Sequence, residues 1–283
     1  MGDLGTSIGV MTGLSLLFAS VLALAYRLLR VDEDPRLEVI EELLPGNNCG
    51  ACGEPGCAGF AGKLVDGALS PGKCTVADSG TLDDLATLLG VDVGAEEKRI
   101  ARLKCAGGLT NVRNLARYQG MESCRAAAVV DGGALACAWG CLGLADCERA
   151  CTFDAIAMNE DKLPVVEPEL CTACDDCVDV CPQDLFVLVP ESQRLFVQCN
   201  SPLAGEEATS RCRVACDACA RCALDAPEGT VEMVDGLPVI DYERDVQPGP
   251  EATWRCPTDA IQWLEGPQFA EPEDEAVARR KRA

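Results

Sequence analysis

The chain has 283 residues, of which 20 are cysteine and none histidine, and a formal net charge of −22. The lack of histidine excludes His-held haem, Rieske centres, His-containing zinc sites and His-based acid–base catalysis, and the acidity argues against nucleic-acid binding, which needs a basic footprint. Cysteine this dense, set in C-x2-C runs on a chain too long for a small disulfide scaffold, points to thiolate metal sites, and so to zinc or iron–sulfur clusters.

Residues 8–29, IGVMTGLSLLFASVLALAYRLL, carry no charge before Arg27. As a helix they would extend about 33 Å, which matches a hydrocarbon core of roughly 30 Å. A cleaved signal peptide would want a basic segment ahead of the apolar run, and MGDLGTS offers only Asp3. Arg27 and Arg30 follow the span, so the positive-inside rule predicts an outside N-terminus and a cytoplasmic remainder. A short helix, LEVIEELL, comes next.

The first cysteine group is Cys49, Cys52, Cys57 and Cys74, spaced C-x2-C-x4-C-x16-C. Glycines at 50, 53 and 56 let the backbone turn tightly enough for three sulfurs to converge, and AGFAGKLVDGAL predicts a helix that carries the chain away before Cys74 returns. Three close ligands and one remote one favour a [4Fe–4S] cluster over structural zinc. TLDDLATLLG predicts a further helix, with Thr81 as N-cap and Asp84 at the capping-box position.

Cys171, Cys174, Cys177 and Cys181, followed by Pro182, form the bacterial ferredoxin run C-x2-C-x2-C-x3-C-P. Cys137, Cys141, Cys147 and Cys151 form a looser run, C-x3-C-x5-C-x3-C. In two-cluster ferredoxins the fourth cysteine of each run ligates the other cluster. That rule predicts one set of Cys137, Cys141, Cys147 and Cys181 and another of Cys171, Cys174, Cys177 and Cys151. AIAMNEDKLPVV between the runs reads as a β-hairpin.

The pattern then repeats with losses. Cys216, Cys219 and Cys222 keep the C-x2-C-x2-C spacing, but Ala226 stands where the fourth cysteine belongs. Ala226 and Cys256 are 30 residues apart, as are Cys151 and Cys181, and LPVI at 237–240 matches LPVV at 163–166. The period of this internal duplication is about 75 residues. At the positions of the second cluster's inner ligands the copy has Asp245, Pro248 and Glu251, or Val246, Gly249 and Ala252 in the other register. One cluster is therefore expected to be missing whole, with Cys256 completing the set of Cys216, Cys219 and Cys222. Cys105, Cys124, Cys199 and Cys212 remain, either as a further cluster set or as packed thiols. Cys212-x3-Cys216-x5-Cys222 also copies the spacing of Cys137, Cys141 and Cys147, which leaves open whether Cys212 or Cys219 is a ligand.

The apolar span, NNCGACGEPGCAGFA with Cys74, and CAWGCLGLADCERACTFDAI joined to CTACDDCVDVCP together resemble the RnfB family, the B subunits of the Rnf complexes. These are membrane-bound ferredoxin:NAD oxidoreductases that couple electron flow to Na⁺ or H⁺ export. The resemblance covers most of residues 1–261 and departs at the degraded copy and at Thr152, which replaces the usual proline. It implies a translocase component that relays electrons through [4Fe–4S] clusters, four of them on the sixteen paired cysteines and an optional fifth, with no catalytic side chain of its own. Reduced ferredoxin is the implied donor, and the other membrane subunits of the complex are the implied partners. The implied location is the bacterial inner membrane, with the cluster domains on the cytoplasmic side. No nucleotide-binding glycine fingerprint occurs in the chain, so NAD reduction would belong to a partner.

The expected fold is α+β. A transmembrane anchor occupies 1–30, a four-cysteine [4Fe–4S] domain 31–95, a bacterial-ferredoxin-like (βαβ)2 unit 96–198, a degenerate second unit 199–265, and a charged, solvated tail 266–283. The competing readings are a relay component of a different membrane redox complex and a zinc-stabilised interaction module.

Overall fold

The computed structural model describes residues 2–29, 34–94, 97–242 and 248–269. Arg30, Asp245, Val246 and the run EPEDEAVARRKRA lie outside the described residues. Helix α1 (Gly2–Leu29) is long and apolar enough to cross a membrane. Among the described residues none buries its apolar span, and Leu14, Leu17, Phe18 and Leu22 stand exposed.

Three helices frame the first cysteine group. α2 (Pro35–Leu43) starts where Asp34 accepts the Arg36 N–H at 2.9 Å, with Pro35 in the first helical position. α3 (Cys57–Val65) opens where the Asn48 side chain accepts the Cys57 N–H at 2.9 Å. α4 (Ser79–Leu89) begins earlier than its sequence suggests. Asp78 is its N-cap, accepting the Thr81 N–H at 2.9 Å and the Thr81 hydroxyl at 3.1 Å. Thr81 thus sits three positions inside the cap it was expected to form, because the Asp78 carboxylate takes both its N–H and its hydroxyl and starts the helix earlier. Ile40, Phe60, Leu64 and Leu85 fill the core between the three helices.

The next segment runs β1 (Arg99–Leu103), α5 (Gly108–Asn111), α6 (Cys124–Ala128), α7 (Asp146–Ala150), β2 (Ile156–Met158), β3 (Pro164–Val166), α8 (Asp176–Val180) and β4 (Phe186–Pro190). β2 and β3 form the hairpin read from AIAMNEDKLPVV, with Ile156 opposite Val166. β1 closes on β4, antiparallel from Arg99↔Pro190 to Leu103↔Phe186. The last segment repeats the plan through β5 (Leu195–Val197), α9 (Gly205–Thr209), α10 (Arg221–Asp225), β6 (Val231–Val234), β7 (Leu237–Ile240) and β8 (Ile261–Trp263). Here β6 pairs β7 and β5 pairs β8. A 3-10 turn, Pro250–Thr253, replaces the helix that α8 supplies in the first copy.

Gly266 to Phe269 do not behave as tail. Gln268 is buried and holds both backbone groups of Leu103, accepting its N–H at 2.9 Å and donating to its carbonyl at 2.8 Å. It extends the β1 edge as a further strand would.

Candidate metal centres

None of the twenty cysteines forms a disulfide, and Cys219 alone is exposed. Cys49, Cys52, Cys57 and Cys74 ring one apolar cavity beside Phe60. Cys151, Cys171, Cys174 and Cys177 ring a second, against Ala101, Ile156 and Leu188. Cys216, Cys219, Cys222 and Cys256 ring a third, against Met233 and Ile261. These are the groupings expected from spacing and cross-ligation.

The fourth ring differs. Cys141, Cys147 and Cys181 line it together with Cys124, and Cys137 is not among its lining residues. Local structure explains the exchange. The Asp146 carboxylate accepts from the Ser123 hydroxyl at 3.0 Å and the Arg125 N–H at 3.1 Å, so the start of α6, and with it Cys124, is tied to α7. Cys137 is drawn the other way. Its neighbour Ala136 donates its N–H to the Arg113 carbonyl at 2.8 Å, and the Ala136 carbonyl accepts from the Arg211 guanidinium at 3.1 Å.

Cys137 instead joins Cys105, Cys199 and Cys212. The sulfurs of Cys105 and Cys212 lie 3.4 and 3.7 Å from the point a side-chain carbon on Gly107 would occupy. Cys199 and Cys212 share one buried cluster, with Cys137 packed on it. The Ala106 N–H donates to the Gln198 carbonyl at 3.0 Å, which holds the segments of Cys105 and Cys199 together. The leftover set expected from sequence therefore exchanges Cys124 for Cys137.

The duplication accounts for both changes. Cys105 follows β1 by two residues and Cys199 follows β5 by two. Cys137 precedes Cys141 by four residues, as Cys212 precedes Cys216. The fifth set thus takes two equivalent pairs, one from each copy, and Cys212 and Cys219 both have a place. Leu144 occupies the middle position that Cys174 and Cys219 hold in their loops, and Cys124 lines the cavity in its stead. The three loops share one conformation, with positive φ at the second and fourth residues after the first cysteine: Gly143 and Ala145, Ala173 and Asp175, Ala218 and Ala220. Holding an alanine there costs about 1–2 kcal/mol. Such strain persists where the surroundings over-determine it.

Each ring adjoins at least one other. The Thr75 hydroxyl donates to the Thr172 carbonyl at 2.5 Å, and a cavity of about 330 Å³ lined by Cys74, Thr75, Ala173 and Asp175 lies between the first two rings. Cys147 and Cys177 lie in one buried cluster with Cys151 and Cys181 packed on it, so the rings of Cys151 and Cys124 adjoin. The Cys141 N–H donates to the Cys105 sulfur at 3.3 Å. Burial first, then Cys199 among its neighbours, pushes Cys216 up to about 12.

Similar burial pushes Cys105 and Cys147 up to about 12 and Cys174 to about 11. Buried thiolates need a compensating positive charge, and metal loading at these rings must release protons. Among the described residues no three Cys, Asp or Glu side chains converge on a point that suits a single ion. The sulfurs ring a space instead, a donor set that fits multi-iron clusters held by four thiolates.

Comparison with known proteins agrees. A family model described as an Fe–S cluster matches residues 44–76, and one described as a 4Fe-4S binding domain matches residues 164–186. The B subunit of the Na(+)-translocating ferredoxin:NAD(+) oxidoreductase complex of Acetobacterium woodii is 36% identical over 90% of this chain and 76% of its own. The B subunit of the ion-translocating oxidoreductase complex of Methanosarcina acetivorans is 33% identical over 90% of this chain and 97% of its own. The proton-translocating counterpart of Clostridium ljungdahlii is 33% identical over 89% of each. Similarity of this extent, joined to the cysteine rings and the apolar helix, shows that the chain belongs to the RnfB family of ion-translocating oxidoreductase complexes, as a membrane-associated electron-transfer component with several [4Fe–4S] clusters.

Proposed function

We propose that this chain takes electrons from reduced ferredoxin and hands them to the membrane subunits of an Rnf-type, Na⁺- or H⁺-translocating ferredoxin:NAD oxidoreductase. In this reading five thiolate sets serve the relay: Cys49, Cys52, Cys57 and Cys74; Cys151, Cys171, Cys174 and Cys177; Cys124, Cys141, Cys147 and Cys181; Cys105, Cys137, Cys199 and Cys212; and Cys216, Cys219, Cys222 and Cys256. The [4Fe–4S] clusters held there would supply one-electron chemistry. The observation that carries the reading is the division of all twenty cysteines into five neighbouring groups of four.

The chain's own task is positional. Helices frame the first sulfur set and short strands and strained loops hold the others, largely in apolar surroundings with Cys219 at the surface, and hydrogen bonds link neighbouring sets. The strand order β1-α7-β2-β3-α8-β4, with its outer and inner pairs, supports a (βαβ)2 ferredoxin-like unit over 96–198, and β5 to β8 support the degenerate copy over 199–265. Residues 31–95 form the four-cysteine domain before them. Arg27 at the end of α1 supports the cytoplasmic placement of everything after the span. One helix cannot line an ion path by itself, so ion transport and NAD reduction belong to other subunits.

Anaerobic purification with iron and sulfide analysis tests this. About 20 iron per chain and a brown colour are expected, by the four-iron stoichiometry of Cys₄-held clusters. A colourless zinc protein would overturn the relay. A brown protein that reduced ferredoxin cannot reduce would leave a relay of another redox complex.

A further inference from the structure

Residues 98–130 carry seven basic side chains and one acidic, Glu122, in a chain of net charge −22. Part of this charge gathers on one surface. Val112 and Cys212 face each other in an antiparallel bridge. The Arg113 N–H donates to the Arg211 carbonyl at 2.9 Å and the Arg213 N–H to the Asn111 carbonyl at 3.0 Å. Side chains alternate across such a ladder. Val112 and Cys212 are buried, so Arg113, Arg211 and Arg213 emerge on the opposite face.

Arg113, Arg117 and Arg213 are exposed, and Leu109 and Leu115 beside them are 51% and 58% exposed. Glu207 pairs with Arg211 at 3.2 Å. The Arg113 and Arg117 guanidinium groups have no partner among the described residues. Apolar side chains set among arginines have the composition of a protein-docking surface. Beneath this one, on the inner face of the same ladder, lies the set of Cys105, Cys137, Cys199 and Cys212.

We propose that this arginine face is the docking surface for an acidic, cluster-bearing electron-donor protein of the ferredoxin class. The inference rests on the relay reading above and adds the place of contact. A strongly acidic chain repels an acidic partner almost everywhere, so a local cationic face fixes both where and in which orientation the partner is captured. Here the capture point and a buried cysteine set are separated by a single layer of backbone.

The full-length, anaerobically loaded protein is titrated with an oxidised acidic 2[4Fe–4S] ferredoxin at low and high ionic strength. The Arg113→Glu/Arg117→Glu variant should keep its iron content and absorbance. Its affinity should fall at least about tenfold at low salt, with the gap closing as salt screens the exposed charges. Trp254→Ala/Leu224→Ala, which removes two exposed apolar side chains of the second copy, should bind as the native protein does. Unchanged affinity in the arginine variant overturns the proposal, as does a loss confined to the Trp254/Leu224 variant. Native protein that neither binds the oxidised ferredoxin nor is reduced by the same ferredoxin after its prior reduction, at any ionic strength, overturns the ferredoxin reading itself, whatever the variants do.

Discussion

Pairs of cysteine substitutions separate the ring assignment from the one that spacing suggests, because two ligands of one ring cost one cluster whereas ligands of two rings cost two. In the structure Cys124 and Cys181 face the same cavity, and Cys137 packs with Cys199 and Cys212. From about 20 iron per chain, Cys124→Ala/Cys181→Ala should leave about 16, and Cys137→Ala/Cys181→Ala about 12, at four iron per site. The spacing-based grouping predicts the reverse order. Iron and sulfide analysis of anaerobically purified protein reads the count, and low-temperature EPR of the dithionite-reduced protein shows which signals disappear. A Cys124/Cys181 variant that loses about eight iron, beside a Cys137/Cys181 variant that loses about four, would refute the argument from the Asp146 and Arg211 tethers. The native iron count must be established first, since it sets the scale for both.

Cys256→Ala should disable the ring of Cys216, Cys219 and Cys222 and leave the EPR signals of the other sites in place; an unchanged spectrum would remove Cys256 from the set. Gly72→Ala, in the turn that leads into Cys74, should weaken the first ring selectively, because the added carbon would lie 2.8 Å from the backbone carbonyls of Val93 and Gly94 beyond α4. Overpacking against backbone costs about 1–3 kcal/mol, to be read as earlier urea-induced bleaching; an unshifted midpoint would show that the loop can move. Gln268→Leu keeps the volume but strands two backbone groups of Leu103, at a cost of about 2–4 kcal/mol. Its unfolding midpoint should fall clearly, and a neutral result would mean that water replaces both bonds. A chelator strong enough to strip iron should unfold the region from β1 to β8, since its own apolar core is made of short strands around the rings; persistence of native-like circular dichroism after iron removal would contradict this.

Sequence by itself determined the chemistry, thiolate sites without histidine and an apolar span, and it also grouped the cysteines that line three of the cavities. These are properties of composition and short spacing, which the chain expresses before it folds. The duplication was legible too, and its strand pairs follow the matched LPVV and LPVI segments. Only tertiary structure decided the partners of Cys124 and Cys137. Cys124 reaches its ring through a carboxylate 22 residues away at Asp146, and Cys137 is turned toward the second copy by the bonds its neighbour Ala136 makes to the Arg113 carbonyl and the Arg211 guanidinium. The missing middle ligand at Leu144 was a visible signal, but spacing alone could not say which remote sulfur would fill it. The same holds for the set of Cys105, Cys137, Cys199 and Cys212, which exists only where the two copies meet. A ligand set shared between two folded units leaves no fixed spacing in the chain, because its geometry is set by how the units pack.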